Sequence, residues 1–207
     1  MIALVDYGAG NVRSVHKALE AVGGQVVVAR TPLAIRRAER IVLPGVGAFG
    51  DCMRSLAAGG LGEALEEAVA RHKPLLGICV GMQVMLEQGE ELGRHAGLGL
   101  LPGRVVRFND AVLEQGLKVP HTGWNQLQHR GTADPLFHGL PAGAWAYFNH
   151  AYYCRPRPED VLATSDYGAP FASVIGRDGI YGVQFHPEKS QSVGLRILRN
   201  FVERVSA

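Results

Sequence analysis

"LLGICVGMQ" (75–83) sets an apolar run against a cysteine flanked by glycines, then continues into a helical pattern through Met82, Met85 and Leu86. Such a run reads as a strand buried on both faces, and Gly77-x-Cys79-x-Gly81 as the sharp turn that ends it. Close backbone approach at such a turn favours glycine two positions to either side. The flanking sequence repeats the alternation. "IALVDYGAGN" (2–11) begins as a strand and stops at a Gly-rich turn, after which Val12, Val15, Leu19 and Val22 recur at helical spacing up to Gly23-Gly24. "QVVVA" (25–29) and "RIVLPG" (40–45) are two further strands, the latter halted at Pro44-Gly45. Met53, Leu56, Leu61, Leu65 and Val69 predict a helix interrupted at Gly59-Gly60.

Beyond residue 100 the character changes. "GRVVRF" (103–108), "KVPHTGWNQ" (118–126), "WAYFNHAYYC" (145–154), "VLATS" (161–165) and "FASVIGRDGIYGVQFH" (171–186) are closely spaced strands, with a hairpin at Arg177-Asp178-Gly179. A last helix over 190–205 presents Val193, Ile197, Leu198 and Phe201. The expected fold is α/β: an open, mostly parallel, doubly wound sheet with helices on both faces and an antiparallel extension, in one domain over 1–207.

The bulk composition excludes several classes. The formal net charge is +2, so no polyanion-binding surface is indicated, and "RRAER" (36–40) reads as a solvated helix face. No apolar run approaches the roughly 18 residues of a membrane span, and no signal peptide is visible. Cys52, Cys79 and Cys154 are widely spaced and form no metal-ligand pair, which suits a reducing cytoplasm. His16, His72, His95, His129 and His138 lie in no ligand spacing, so no metal is implied.

In an open α/β sheet, ligands bind at the carboxyl ends of the strands, where this reading puts Cys79. The turn would project its sulfur above the sheet, and the following helix N-terminus would favour thiolate over a thiol of pKa about 8.5. Taken alone, Cys79 is as readily a small buried hydrophobe. "YGVQFHPEKS" (181–190) supplies a base and its orienter. His186 ends an apolar strand, Pro187 biases it towards extended backbone, and Glu188 two residues on would project to the same side. Glu188 would then hold one imidazole nitrogen while the other faces Cys79, the arrangement of a nucleophile–base–orienter triad.

With these residues in view, "GICVGMQ" (77–83) and "QFHPEKS" (184–190) resemble the class I, triad-type glutamine amidotransferases, which release ammonia from glutamine and pass it to a synthase. The resemblance places the catalytic triad on Cys79, His186 and Glu188. It implies a substrate site near Gly47, Gln83, Glu91, Ala151 and Tyr152. "LPGVGAFGDCM" (43–53) is similar to the family's oxyanion region, which implicates Gly45 and Val46 together with Val80. The same resemblance implies that the peptide there is misoriented until a partner binds its own ligand. "VPHTGWNQ" (119–126) with "DYGAGN" (6–11) narrows the likeness to the branch whose partner is a (β/α)8-barrel cyclase of histidine biosynthesis. That implies an interface at His121, Thr122, Gly123, Trp124 and Asn125, and passage of ammonia through the barrel. No organic cofactor is implied, because thioester chemistry needs only the triad, water and an oxyanion hole. One departure stands out: in "YFNHAYY" (147–153), Ala151 replaces the hydroxyl residue expected beside the substrate. Two other readings are weighed: a free-standing cysteine hydrolase of γ-glutamyl bonds, and a regulatory scaffold with a vestigial site. "GMQ" and "PHTGWN" argue against the first, and the intact Cys79, His186 and Glu188 against the second.

Overall fold

The computed structural model describes residues 1–129 and 133–205. Its first half runs β1 (Ile2–Val5), α1 (Val12–Ala21), β2 (Val26–Ala29), α2 (Pro32–Arg37), β3 (Arg40–Gly45), α3 (Phe49–Ala58), α4 (Leu61–Ala70), β4 (Leu75–Cys79) and α5 (Val80–Gln83). The second half adds β5 (Leu86–Gly89), β6 (His95–Ala96), β7 (Leu101–Arg107), α6 (Asp110–Glu114), β8 (His121–His129) and β9 (Ala144–His150). It closes with β10 (Tyr152–Pro156), β11 (Val161–Asp166), β12 (Pro170–Arg177), β13 (Ile180–Val183) and α7 (Gln191–Glu203).

One sheet has the order β2-β1-β3-β4-β13-β12-β11-β8-β9. From β2 to β13 neighbours are parallel, and from β13 to β9 antiparallel. The parallel core with an antiparallel extension is the fold expected. β1 and β4 are buried along their whole length, as strands covered on both faces must be. α1 packs against α7, while α2 and α3 pack against α4. Right-handed crossovers from β1 to β2 and then from β2 to β3 put these two groups on opposite faces. The strand order reverses between β1 and β3, which opens a crevice at their carboxyl ends.

A second, four-stranded sheet, β10-β7-β5-β6, is not anticipated by the sequence. It accounts for two departures. The helical pattern after Cys79 stops at Gln83, because the carbonyls of Val84, Met85 and Leu86 accept from the amides of Leu98, Leu100 and Gly99 instead of continuing a helix. Met82, Met85 and Leu86 are all fully buried, so their spacing mimics a helix face. The run 145–154 also divides at Ala151, with β9 pairing β8 in the large sheet and β10 pairing β7 in the small one.

Other expectations meet smaller changes. The interruption at Gly59-Gly60 separates α3 from α4, and the 177–180 hairpin turns through Asp178 (φ 50°) and Gly179 (φ 82°), the left-handed pair of a two-residue turn. β3 is not halted at Pro44. Pro44 and Gly45 pair with Ile78 and Cys79, whereas β1 leaves β3 after Val42, so the missing amide costs no bond to β1. "RRAER" is helical only through Arg37, and Arg40 opens β3. Among the described residues, no helix is long and apolar enough to cross a membrane.

Candidate active site

Cys79 stands at the last position of β4 with φ 55° and ψ −114°, a conformation that costs a non-glycine residue about 1–3 kcal/mol. Its surroundings enforce that geometry. A Cβ on Gly81 would collide with the Leu43 carbonyl, and one on Gly77 with the Met85 sulfur. A Cβ on Gly45 would lie 2.5 Å from the Gly81 amide nitrogen. β3 therefore packs directly against the turn, and the glycines of the sequence motif are the residues that permit it. α5 is a single turn, so the helix dipole behind Cys79 is smaller than the sequence suggests.

His186 lies three residues beyond the end of β13 and is anchored by its amide on the Tyr147 carbonyl of β9, 2.9 Å. Its Nδ1 is 3.0 Å from Glu188 Oε1. The juxtaposition does not arise from extended backbone, because 187–189 form a 3₁₀ turn that folds the carboxylate back onto the ring. Burial alone would lower the His186 pKa. Hydrogen bonds to Cys79 and Glu188, with attraction to the same two groups, outweigh it and hold the imidazole up at about 10. Asn11 Nδ2 approaches the same Glu188 oxygen at 3.5 Å, which gives "DYGAGN" a contact with the site.

Cys79 and His186 open onto a cavity of about 230 Å³, also lined by Val46, Gly47, Val80, Gln83, Glu91, Ala151 and Tyr152. Of the residues expected around substrate and oxyanion, only Gly45 is absent from the lining, buried behind Gly81. The Gln83 amide is not offered to the cavity. Its nitrogen donates to the Tyr152 carbonyl (3.0 Å) and to Gln184 Oε1 (3.1 Å), so it braces the wall. Glu91 accepts from the Phe49 amide at 2.8 Å.

Sequence reasoning missed Gln184, whose Nε2 reaches Cys79 Sγ at 3.8 Å, although a buried polar residue two before His186 in an apolar stretch was a usable signal. It also missed Pro120, Asn149 and Lys189 in the lining, which His150, next to Ala151, shares. Burial pushes the Cys52 and Cys154 thiols up, which counts against either as a nucleophile, and neither lines the cavity. Cys52 does more than pack, since its sulfur contacts the Val46 carbonyl at 3.5 Å.

The stretch 121–125 is strand, as its sequence predicts, and strand alternation divides it. Thr122 and Trp124 face solvent, and Trp124 pairs with Tyr147 on β9 beside the exposed Trp145. Lys189 Nζ lies 5.7 Å from the Tyr147 ring centre, so this aromatic face runs up to the cavity mouth. His121 and Asn125 turn inward instead. His121 is 3% exposed, and Asn125 donates to the Asp166 carbonyl at 2.7 Å. Both therefore leave the proposed contact surface.

His121 and His150 are buried against each other, and burial lowers their pKa values to about 4 and about 3. Both lie below the unfolded value of about 6.5, so the unfolded chain takes up protons first as pH falls. Their contribution to stability is present above about pH 6.5 and is lost as pH falls through the folded values. Urea midpoints at pH 7 and pH 5 should show wild type losing about 1–2 kcal/mol more than His121→Gln. Equal losses would remove the buried neutral histidines from the account.

The parallel-sheet crevice, the strained cysteine and the His–Glu pair have the arrangement expected of a triad-type hydrolase. A model of the family described as glutamine amidotransferase class-I matches residues 3–205, and the chain belongs to that family. Its relatives narrow the position further. It is 50% identical over 204 residues to the imidazole glycerol phosphate synthase subunit HisH of Syntrophotalea carbinolica, covering 97% of this chain and 98% of the relative. It is also 50% identical over 205 residues to the HisH subunit of Geobacter sulfurreducens, covering 98% of each. Among solved structures, a glutamine amidotransferase shares the fold with a TM-score of 0.75 at 19% identity, over 98% of both chains. A glutamine amidotransferase from Thermotoga maritima shares it with a TM-score of 0.69 at 15% identity, over 99% of this chain and 96% of that one.

Proposed function

We propose that this chain is the glutaminase subunit of an imidazole glycerol phosphate synthase, working as one domain over 1–207. Cys79 Sγ attacks the side-chain carboxamide of glutamine, and His186 takes the thiol proton. The tetrahedral intermediate collapses to a glutamyl thioester as His186 protonates the departing ammonia. His186 then activates water, whose attack releases glutamate and frees Cys79. Glu188 holds the His186 ring in the orientation that serves both steps. The amides of Val46, Gly47 and Val80 are the candidates for the oxyanion, because these three line the cavity beside Cys79 and Gly45 does not.

The observation that carries this reading is Cys79, held at a strained turn and sharing a cavity sized for one small molecule with a Glu188-paired His186 whose pKa it helps to raise. The partner is a cyclase with a (β/α)8 barrel that receives the ammonia. Thr122, Trp124, Tyr147 and Trp145 form the face that would meet it, because two exposed tryptophans beside a half-buried tyrosine suit a protein interface, where aromatic residues are enriched. The cytoplasm fits three free thiols. Glutamate release tests the proposal, measured on the chain alone and with the cyclase and its nucleotide ligand. Low turnover alone and strong turnover in the complex is the expected result. Equal turnover in both would favour a free-standing hydrolase, and none in either would sink the glutaminase reading.

A further inference from the structure

The two buried histidines belong to a hydrogen-bond chain whose direction can be read from its end. His150 Nδ1 lies 2.9 Å from the Tyr152 carbonyl oxygen, which can only accept, so Nδ1 carries the proton. In a neutral ring Nε2 is then an acceptor, and the atom 3.0 Å from it is His121 Nδ1, which must donate. His121 Nε2 is left to accept, and Asn125 Nδ2 stands 3.4 Å away. The Asn125 amide cannot be turned round at no cost. Its nitrogen also donates to the Asp166 carbonyl at 2.7 Å and its oxygen accepts from the Gln126 amide at 2.8 Å.

The chain continues into the site. The Tyr152 carbonyl that receives His150 also receives Gln83 Nε2, which donates as well to Gln184 Oε1; Gln184 Nε2 in turn reaches Cys79 Sγ. Tyr152 follows the corner at Ala151 where the chain passes from one sheet to the other, and the Ala151 carbonyl is pinned by the Phe108 amide at 3.1 Å. Rings pack round the histidine pair: His121 stacks on Tyr167 with centroids 4.0 Å apart, and Phe171 lies 5.1 Å from His150, which also borders the cavity. Burial keeps both rings neutral at physiological pH, the condition under which the one-way order holds.

We infer that His121 and His150 are positioning residues, a one-way relay from strand β8 that fixes the cavity wall at Tyr152 and, through it, the Gln83 and Gln184 amides beside Cys79. The inference rests on reading the cavity as a glutamine site. β8 carries Thr122 and Trp124 on its outer face, so the strand that would meet a partner is the one that sets the substrate wall.

Spectra of the full chain with ¹⁵N-labelled histidine test the relay without turnover. At pH 7 both rings should be neutral with the proton on Nδ1, and an Nε2–H or doubly protonated ring at either position would overturn it. Glutamine kinetics of the complex supply the second test. His150→Gln, which cannot place a donor at Nδ1, should raise KM about tenfold with kcat changed less than about threefold. His150→Asn, whose amide can occupy the Nδ1 position, should recover most of that loss. An unchanged KM in His150→Gln, or a loss that His150→Asn fails to relieve, overturns the role. A chain that never hydrolyses glutamine would count against the function proposed above while leaving the tautomer result standing.

Discussion

Cys79→Ala should abolish glutamine hydrolysis, by about 10⁶-fold as for removal of other covalent nucleophiles, while leaving the fold intact. The fold should survive because the substitution removes one sulfur and because alanine, like cysteine, must adopt the strained turn set by Gly45, Gly77 and Gly81. The decisive measurement is glutamate release in the assembled complex, with circular dichroism and partner binding as controls on folding. The same variant supplied with ammonium salt should still support synthesis by the cyclase, because the ammonia is then provided from solution. Residual glutamine turnover near the wild-type level would remove Cys79 as nucleophile. Failure of the ammonia-fed reaction would mean that this chain does more than deliver ammonia.

The second large effect separates the base from its orienter. His186→Ala should cost nearly as much as loss of the nucleophile, since His186 is the base that interacts with Cys79 and would both take the thiol proton and return it to the leaving nitrogen. Glu188→Gln should cost less, about 10⁴-fold, because the base remains but its preferred orientation and charge partner do not. Glu188 is one of two groups that hold the His186 pKa up, so the substitution should also bring that pKa down from about 10. Turnover numbers for both variants in the complex, with the His186 titration followed by NMR, check the two halves. Equal kinetic losses, or an unmoved titration, would count against an orienting role.

Part of this site was legible in the chain itself. Gly77-x-Cys79-x-Gly81 after an apolar run predicts the turn, because only glycine allows β3 to approach so closely, and the structure places a Leu43 carbonyl where a Gly81 side chain would be. The His186–Glu188 contact was also anticipated, but for the wrong local reason. Extended backbone predicts residues two apart on one side, whereas a 3₁₀ turn after Pro187 performs the pairing. The second sheet stayed hidden because β5 and β6 are short and because Met82, Met85 and Leu86 are buried at spacing that suits a helix equally well.

By itself, then, the sequence determined the alternation of buried strands and helices, the glycines of the nucleophile turn, and the residue types of the triad. These depend on local backbone freedom and on short periodic patterns, which a chain displays without being folded. Only the tertiary structure decided which other polar groups meet across distant segments: His121 with His150, Gln83 with the Tyr152 carbonyl, and Asn11 with Glu188. Those contacts join residues 29 to 177 positions apart, where sheet register and burial, not local propensity, fix who meets whom.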